Sequence, residues 1–299
     1  MDPALVALSL LPAHAALAVA EGLRSGASAP AVLARVVSTY WPGDPSRYGR
    51  LMARGRRALT LASSSGLRAI AWSDPDYPAP LAAIPDPPPL VWVRGAVEAL
   101  QRPAVAIVGS RAATPYALEV SARLAAGLAG RGVAVVSGLA RGVDSAAHRG
   151  AVASGGSTIA VLGCGADRVY PPEHAALAHE IEGRGVVMSE LAPGTPPLPR
   201  FFPRRNRIIS GLARAVVVVE AGERSGSLIT ARAALDQGRD VMAVPGSVLS
   251  GRNRGGHGLL RDGARLVETA GDVMRSCTAS ARARRRRPRA AHRPGAIRC

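Results

Sequence analysis

Apolar positions in the first seventy residues recur at roughly helical spacing: Leu5, Leu8 and Leu11, then Leu17 and Val19, then Val32, Leu33, Val36 and Val37. Pro12, Gly26, Pro30 and the stretch Pro42–Pro45 interrupt them. Residues 1–70 are therefore expected to form a small helical domain of short helices. Residues 71–103 read as a Pro-rich connector (AWSDPDYPAPLAAIPDPPP) that ends on a short strand at Leu90–Arg94.

From residue 104 the pattern changes. Short, continuous, Val-rich runs are expected as strands at Val105–Val108, Val133–Val136, Thr158–Leu162, Val186–Met188, Ala215–Glu220 and Val241–Val244. Such runs suit parallel strands covered on both faces. Amphipathic stretches near Pro115–Gly130, Ser145–Ser154, Pro172–Arg184, Arg204–Leu212 and Ser227–Gly238 alternate with them. The β-α-β-α order predicts an α/β fold over residues 104–274, a Rossmann-like, doubly wound, mostly parallel sheet. Residues 246–274 read as a loop and a small unit closing that fold. Residues 275–299, including ARARRRRPRAAHRP, offer almost nothing to bury and are expected to be a disordered basic tail.

Composition then narrows the chemistry. The net charge is +17, and all 38 basic residues are Arg. The absence of Lys excludes a pyridoxal Schiff base, a Walker A phosphate loop and a kinase-type strand lysine. The charge points to an anionic partner. However, residues 275–299 hold nine Arg and no acid, which leaves +8 on residues 1–274. The tail reads either as a basic arm on nucleic acid or as a weakly selected extension. Three scattered Cys (164, 277 and 299) without metal spacing suit a reduced, cytoplasmic protein. No apolar run reaches the length of a membrane span, and the first residues do not read as a signal peptide. No cofactor is expected, and no paired ligand spacing suggests a metal.

In a doubly wound sheet, ligands bind beyond the C-terminal strand ends, so the loops after the strands carry the candidate chemistry. Gly109-Ser110-Arg111 follows the first core strand, and Thr114-Pro115 opens the next helix. A Gly turn, free backbone N–H groups and an Arg fork favour an anion there. Ser137-Gly138, with Arg141 and Asp144, follows the second strand, and Asp144 is expected to cap its helix. Asp144 and His148, four apart, could pair as part of a hydrolase-like trio with Ser145, but a local cap and hydrogen bond is the simpler reading. Gly163-Cys164-Gly165 leads to Tyr170, a possible stacking ring. Ser225-Gly226-Ser227 again opens a helix after a strand.

The most informative window is Leu191–Val219, which holds five Arg and no acid. It contains both Phe of the chain in Arg200-Phe201-Phe202-Pro203-Arg204-Arg205-Asn206-Arg207. Arg forks can hold successive phosphates while an aromatic face stacks on a base. The alternative is that the Phe are core and the arginines meet carboxylates elsewhere.

Together, IVGSR (107–111), VVSGLARGVDSAAH (135–148), GGSTIAVLGCGADRVYPPEH (155–174), FPRRNRII (202–209), VVVVEAGERSGSLITARAALDQGRDVMAVPG (216–246) and LLRDGARLV (259–267) resemble one family, DNA-processing protein A (DprA, also called Smf). WSDPDYPAPLAAIPDPPPLVWVRG (72–95) matches too. The resemblance implies a Rossmann-like, non-enzymatic recombination mediator. Such proteins bind single-stranded DNA without sequence preference, protect it in natural transformation, load the RecA recombinase and act as homodimers. On the family pattern Arg111 is the leading DNA contact, followed by Arg205 and Arg207. The full set expected at the DNA is Gly109, Ser110, Arg111, Ser137, Gly138, Arg141, Phe202, Arg204, Arg205, Asn206, Arg207, Ser225 and Gly226.

Three features depart from the family pattern. LLPAHAA (10–16) lacks the glycine of a helix-hairpin-helix turn, the tail is too short for a winged helix, and Pro172-Glu173-His174 supplies no early basic residue after Tyr170-Pro171. A second class, LOG-like nucleotide-hydrolysing enzymes, carries a PGGxGT turn that EAGERSGSLIT (220–230) lacks. A nucleotide-sensing or RNA-binding Rossmann protein is the third.

Overall fold

The computed structural model of the chain describes residues 1–286, with side chains through Thr278. Four helices open it: α1 (Pro3–Ser9), α2 (Ala16–Arg24), α3 (Ala29–Tyr40) and α4 (Arg47–Ser64). Asp2 caps α1 by accepting from the Ala4 N–H at 2.8 Å, with Pro3 at the first helical position. Helix α4 buries Leu51, Gly55, Ala58 and Ala62, spaced by four, three and four residues, against a cluster that includes Ala4, Leu8, Leu33 and Val36.

The helical reading of residues 1–70 runs too far. Arg68–Ala71 is strand β1, antiparallel to β2 (Leu90–Gly95). Four residues with no cap and no helical period pair instead with the apolar run that follows the prolines. The Pro-rich stretch between them is part of the core. Tyr77, Leu81 and Ile84 are buried around the short helix α5 (Ala79–Ala82), and the Tyr77 hydroxyl donates to Pro88 O at 2.8 Å.

The doubly wound unit continues through β3 (Ala104–Val108), α6 (Pro115–Ala129), β4 (Ala134–Ser137), α7 (Val143–Ala153), β5 (Thr158–Val161), α8 (Ala175–Glu182), β6 (Val186–Ser189) and α9 (Phe201–Leu212). It ends with β7 (Ala215–Val218), α10 (Gly226–Asp236), β8 (Asp240–Ala243), α11 (Arg254–Arg261), β9 (Arg265–Leu266) and α12 (Ala270–Arg286). The nine strands form one sheet in the order β1-β2-β6-β5-β4-β3-β7-β8-β9. Every pairing from β6 to β9 is parallel, and only the two pairings made by β2 are antiparallel. This is the expected Rossmann-like α/β class. Helix α12 carries residues 275–286 of the segment expected to be disordered. Residues 287–299, with the rest of that call, lie outside the described residues.

Strand alternation builds the layers. Ala104, Ala106 and Val108 face one side, with Leu81, Ile208, Leu212 and Ala231 from α5, α9 and α10. Val105 and Ile107 face the other, with Leu124, Leu128, Ala147 and Val273 from α6, α7 and α12. Strand β2 joins two cores: Val91 and Val93 belong to the sheet cluster, whereas Leu90 and Trp92 belong to the helical one. Among the described residues no single helix is long and apolar enough to cross a membrane.

One buried polar chain runs under α7. The Thr158 hydroxyl donates to Val135 O at 2.7 Å, so His148 Nδ1, 2.7 Å from that hydroxyl, is assigned as the donor to it. Nε2 is buried without a partner. Asp144 and His148 therefore do not form the pair their spacing allowed. Burial first, and the charge of Arg205 second, push the His148 pKa down to about 3.

Two outcomes follow from this packing. Trp92 is fully buried on the seam, so Trp92→Ala should cost about 3–5 kcal/mol in urea denaturation and loosen residues 1–64 to protease. His148 is neutral when folded and protonates below about 6.5 when unfolded, so stability should be full above that pH and fall between about 6.5 and about 3. Burial raises the Asp144 pKa and works in the opposite sense, so the His148 share is isolated by comparing urea midpoints at two pH values in the parent and in His148→Gln. The acid-induced drop should be smaller in the variant.

Candidate functional site

Strands β3 and β7 are neighbours, but the chain leaves β3 toward β4 on one side and β7 toward β8 on the other. The winding reverses between them, and at such a switch point a crevice opens past the carboxyl ends of the strands. Here it has a volume of about 780 Å³. Its walls are the turn after β3 (Gly109, Ser110, Arg111), the loop after β7 with the start of α10 (Arg224, Ser225, Gly226), the inner face of α9 (Phe202, Arg205, Asn206) and Tyr170, with Asp144 among the lining groups.

Local sequence explains each wall. The Ser225 hydroxyl accepts from the Ser227 N–H and caps α10, which leaves the positive end of that helix at the crevice. Thr114 caps α6 by accepting from the Ala117 N–H at 3.2 Å, and its hydroxyl donates to Glu220 Oε2 at 2.7 Å. Gly142 has φ +76°, and any Cβ there would strike the Ser110 and Arg111 carbonyls. Only glycine lets the loop after β4 close on the Gly109-Ser110-Arg111 turn. In the same loop, fully buried Leu139 sits at φ 57°, a left-handed conformation costing about 1–2 kcal/mol. Its carbonyl lies 2.8 Å from His174 Nδ1.

Arg205 holds this arrangement from below. It is 5% exposed, and its guanidinium donates to the Gly138 carbonyl at 2.8 Å and to the Val161 carbonyl. The guanidinium packs so closely on Gly138 that a Cβ there would collide with it. Burial pushes its pKa down to about 10, and Arg111 adds to that shift while Asp144 opposes it. Asp144 does not cap α7; Gly142 occupies the N-cap position. Asp144 instead accepts from the Gly138 N–H at 3.0 Å and the Ala140 N–H at 3.4 Å, and burial raises its pKa against the pull of Arg205.

Above this layer the crevice is cationic and aromatic. Arg111 is exposed and lies over the Phe202 ring at 5.4 Å. The Phe202 and Tyr170 rings are 5.6 Å apart and tilted by 43°. Among the described residues Arg111 and Arg224 have no ion pair. Two free guanidinium forks, a helix N-terminus and a ring pair can hold phosphates and stack a base. Among the described residues no group of His, Cys, Asp and Glu could hold a metal.

Of the residues singled out in the sequence, Gly109, Ser110, Arg111, Phe202, Arg205, Asn206, Ser225 and Gly226 line the crevice. The others do not. Ser137 is buried and donates to Ile107 O at 2.6 Å. Gly138 packs beneath the crevice on Arg205. Arg141 pairs with Glu173. Arg204 and Arg207 both reach buried Glu190, the former at 3.1 Å, and Arg207 also meets Asp86 at 3.2 Å. They brace the junction with α1 and the prolines, where Leu8, Leu11 and Pro87 share a small cleft with them. Arg224 was not among the singled-out residues. Its neighbour Glu223 lies 3.8 Å from Arg254, which leaves Arg224 at the crevice.

Comparison with known proteins identifies the family. Residues 68–278 match the family model of DNA recombination-mediator protein A. The chain is 46% identical over 201 residues to DNA processing protein DprA of Streptococcus pneumoniae, covering 67% of this chain and 71% of that protein. It is 54% identical over 171 residues to the putative DNA processing protein DprA of Mycobacterium tuberculosis, covering 57% of this chain but only 44% of that protein. The X-ray structure of the S. pneumoniae protein superposes with a TM-score of 0.79 at 37% identity, covering 90% of this chain and 95% of that one. A solved structure of DNA processing protein A from Helicobacter pylori, described for its single-stranded DNA binding mode, gives a TM-score of 0.64 at 28% identity, covering 72% and 96%. The chain belongs to the DNA recombination-mediator protein A family.

Proposed function

We propose that the crevice at the β3/β7 switch point captures single-stranded DNA without reading its sequence, and that the protein passes the strand to a RecA-type recombinase in the cytoplasm, as a homodimer, during natural transformation. The observation carrying this reading is the placement of Arg111 and Arg224, neither in an ion pair among the described residues, with the Phe202–Tyr170 rings in one cavity. The H. pylori relative described for single-stranded DNA binding supports it.

In this reading the phosphates lie against the turn at Gly109-Ser110-Arg111 and the N-terminus of α10, with Arg111 and Arg224 supplying the forks. A base stacks on the rings, which every base can do, so recognition is sequence-tolerant. Asn206 Nδ2, 3.3 Å from Gly226 O, ties α9 to α10 and fixes the width of the crevice. Arg205 acts as a positioning residue, since it is buried and its Nη1 bridges two loop carbonyls.

Arg111 and Arg205 should thus behave differently. Arg111→Ala and Arg224→Ala should each weaken oligothymidylate binding and make the log–log salt slope shallower by about 0.7, with the urea midpoint unchanged. Arg205→Ala should instead cost about 2–5 kcal/mol of stability, because two buried carbonyls lose their donor. Fluorescence anisotropy across a salt titration, with urea unfolding in parallel, reads both. An unchanged slope in both exposed-Arg variants would rule out the crevice as the strand site.

A further inference from the structure

We propose that the exposed face of α4 is a second phosphate track that continues the single-strand path out of the crevice. The inference rests on the reading of the crevice given above. Its starting point is the composition of that helix. RYGRLMARGRRALTLASS holds five Arg and no Asp or Glu. An exposed helix normally gains from opposite charges three or four residues apart, whereas like charges there are destabilising. This one places Arg50 and Arg54 four apart and Arg54 and Arg57 three apart.

The helical period gathers these residues. At about 100° per residue, Arg50, Arg54, Arg57 and Leu61 fall within about 60° of arc. All four are exposed, while Leu51, Ala58 and Ala62 occupy the buried face. Asp44 engages Arg50. Among the described residues Arg54 and Arg57 have neither an ion pair nor a side-chain hydrogen bond. The stripe from Arg50 to Leu61 is about 16 Å long.

Its carboxyl end adjoins the loops that run on to the crevice. Leu61 sits on Gly194, where a Cβ would meet Leu61 Cδ2 at 3.1 Å. The Gly194 N–H donates to Asp167 at 2.9 Å, and the Gly165 N–H donates to Thr195 O at 2.9 Å. These bonds join the loop that carries Tyr170 to the loop that leads into α9. Exposed Arg168 and Arg200 lie on those two loops, and Arg200 stacks on Phe201 at 4.8 Å. A strand leaving the Phe202–Tyr170 rings thus meets Arg168 and Arg200, then Leu61, then Arg57 and Arg54. The ligand chemistry is a flexible sugar-phosphate backbone, held by charge and not by base identity.

The test uses the full chain and oligothymidylates of about 4 and about 30 nucleotides, at and well beyond the short end of single-domain site sizes. In the double variant Arg54→Ala/Arg57→Ala the long oligonucleotide should bind more weakly, with a salt slope shallower by about 1.4, while the short one binds as in the parent. Arg54→Lys/Arg57→Lys should keep the parental slope. Alanine favours an exposed helix, and an unchanged urea midpoint shows that the fold is intact. If the long oligonucleotide binds the Ala variant with parental affinity and slope, the track is wrong although the crevice stands. If the parent binds neither oligonucleotide, the crevice reading fails and the track falls with it.

Discussion

The crevice depends on a buried cation. Arg205 rises from α9 into the gap between the ends of β4 and β5, and its Nη1 donates to one carbonyl at the end of each. A guanidinium out of water is costly, by several kcal/mol, unless hydrogen bonds and an opposing charge offset it. Here the two carbonyls do so directly, and buried Asp144 does so electrostatically. Asp144 in turn collects the N–H groups of the loop after β4. One side chain therefore fixes where that loop runs, how close α9 approaches the sheet and where Phe202, one helical turn earlier, presents its ring. The requirement for glycine at 138 is a direct consequence of that cation, whereas glycine at 142 is required by the Ser110 and Arg111 carbonyls.

Arginines around the crevice thus meet three fates, and on α9 helical register decides between two of them. On α9, Phe202, Arg205, Asn206 and Ile209 follow the i, i+3, i+4, i+7 pattern, and all four line the crevice. Arg204 and Arg207, three apart, lie on another stripe and are spent on Glu190. Arg111 and Arg224, from two different loops, remain free at the rim. A basic segment therefore says little about which of its charges a ligand can reach.

Much of the fold was legible for a simple reason. Strands buried on both faces must be continuously apolar, and the Val runs at 105–108 and 216–219 could be little else. Strand order was not legible, because it depends on pairings between distant segments, and the switch point at β3 and β7 depends on that order. Arg68–Ala71 escaped notice because four residues carry no usable period. The site was legible in outline: the Gly-Ser-Arg turn, the Phe-Arg segment and the Ser-Gly helix start do converge. What misled was the acid-free window 191–219. Its emptiness suggested unpaired arginines, yet the residue just before it is Glu190, buried and accepting from two of them.

The electrostatics of the crevice favour an anion before any contact is counted. Arg111 lowers the pKa of Arg205, so each feels the other's charge across the cavity. Asp144 is the only carboxylate among the lining side chains, and two backbone N–H groups already engage it. A phosphate placed between Arg111 and the N-terminus of α10 would relieve that repulsion as well as form new bonds. Such a ligand would stabilise the folded chain by an amount that grows with the logarithm of its concentration over its Kd, and because the relief is electrostatic its strength would fall as salt rises. Anion binding in the crevice and the firmness of the loops around Arg205 would therefore be one coupled property, since a bound phosphate would supply the negative charge that the crevice lining lacks.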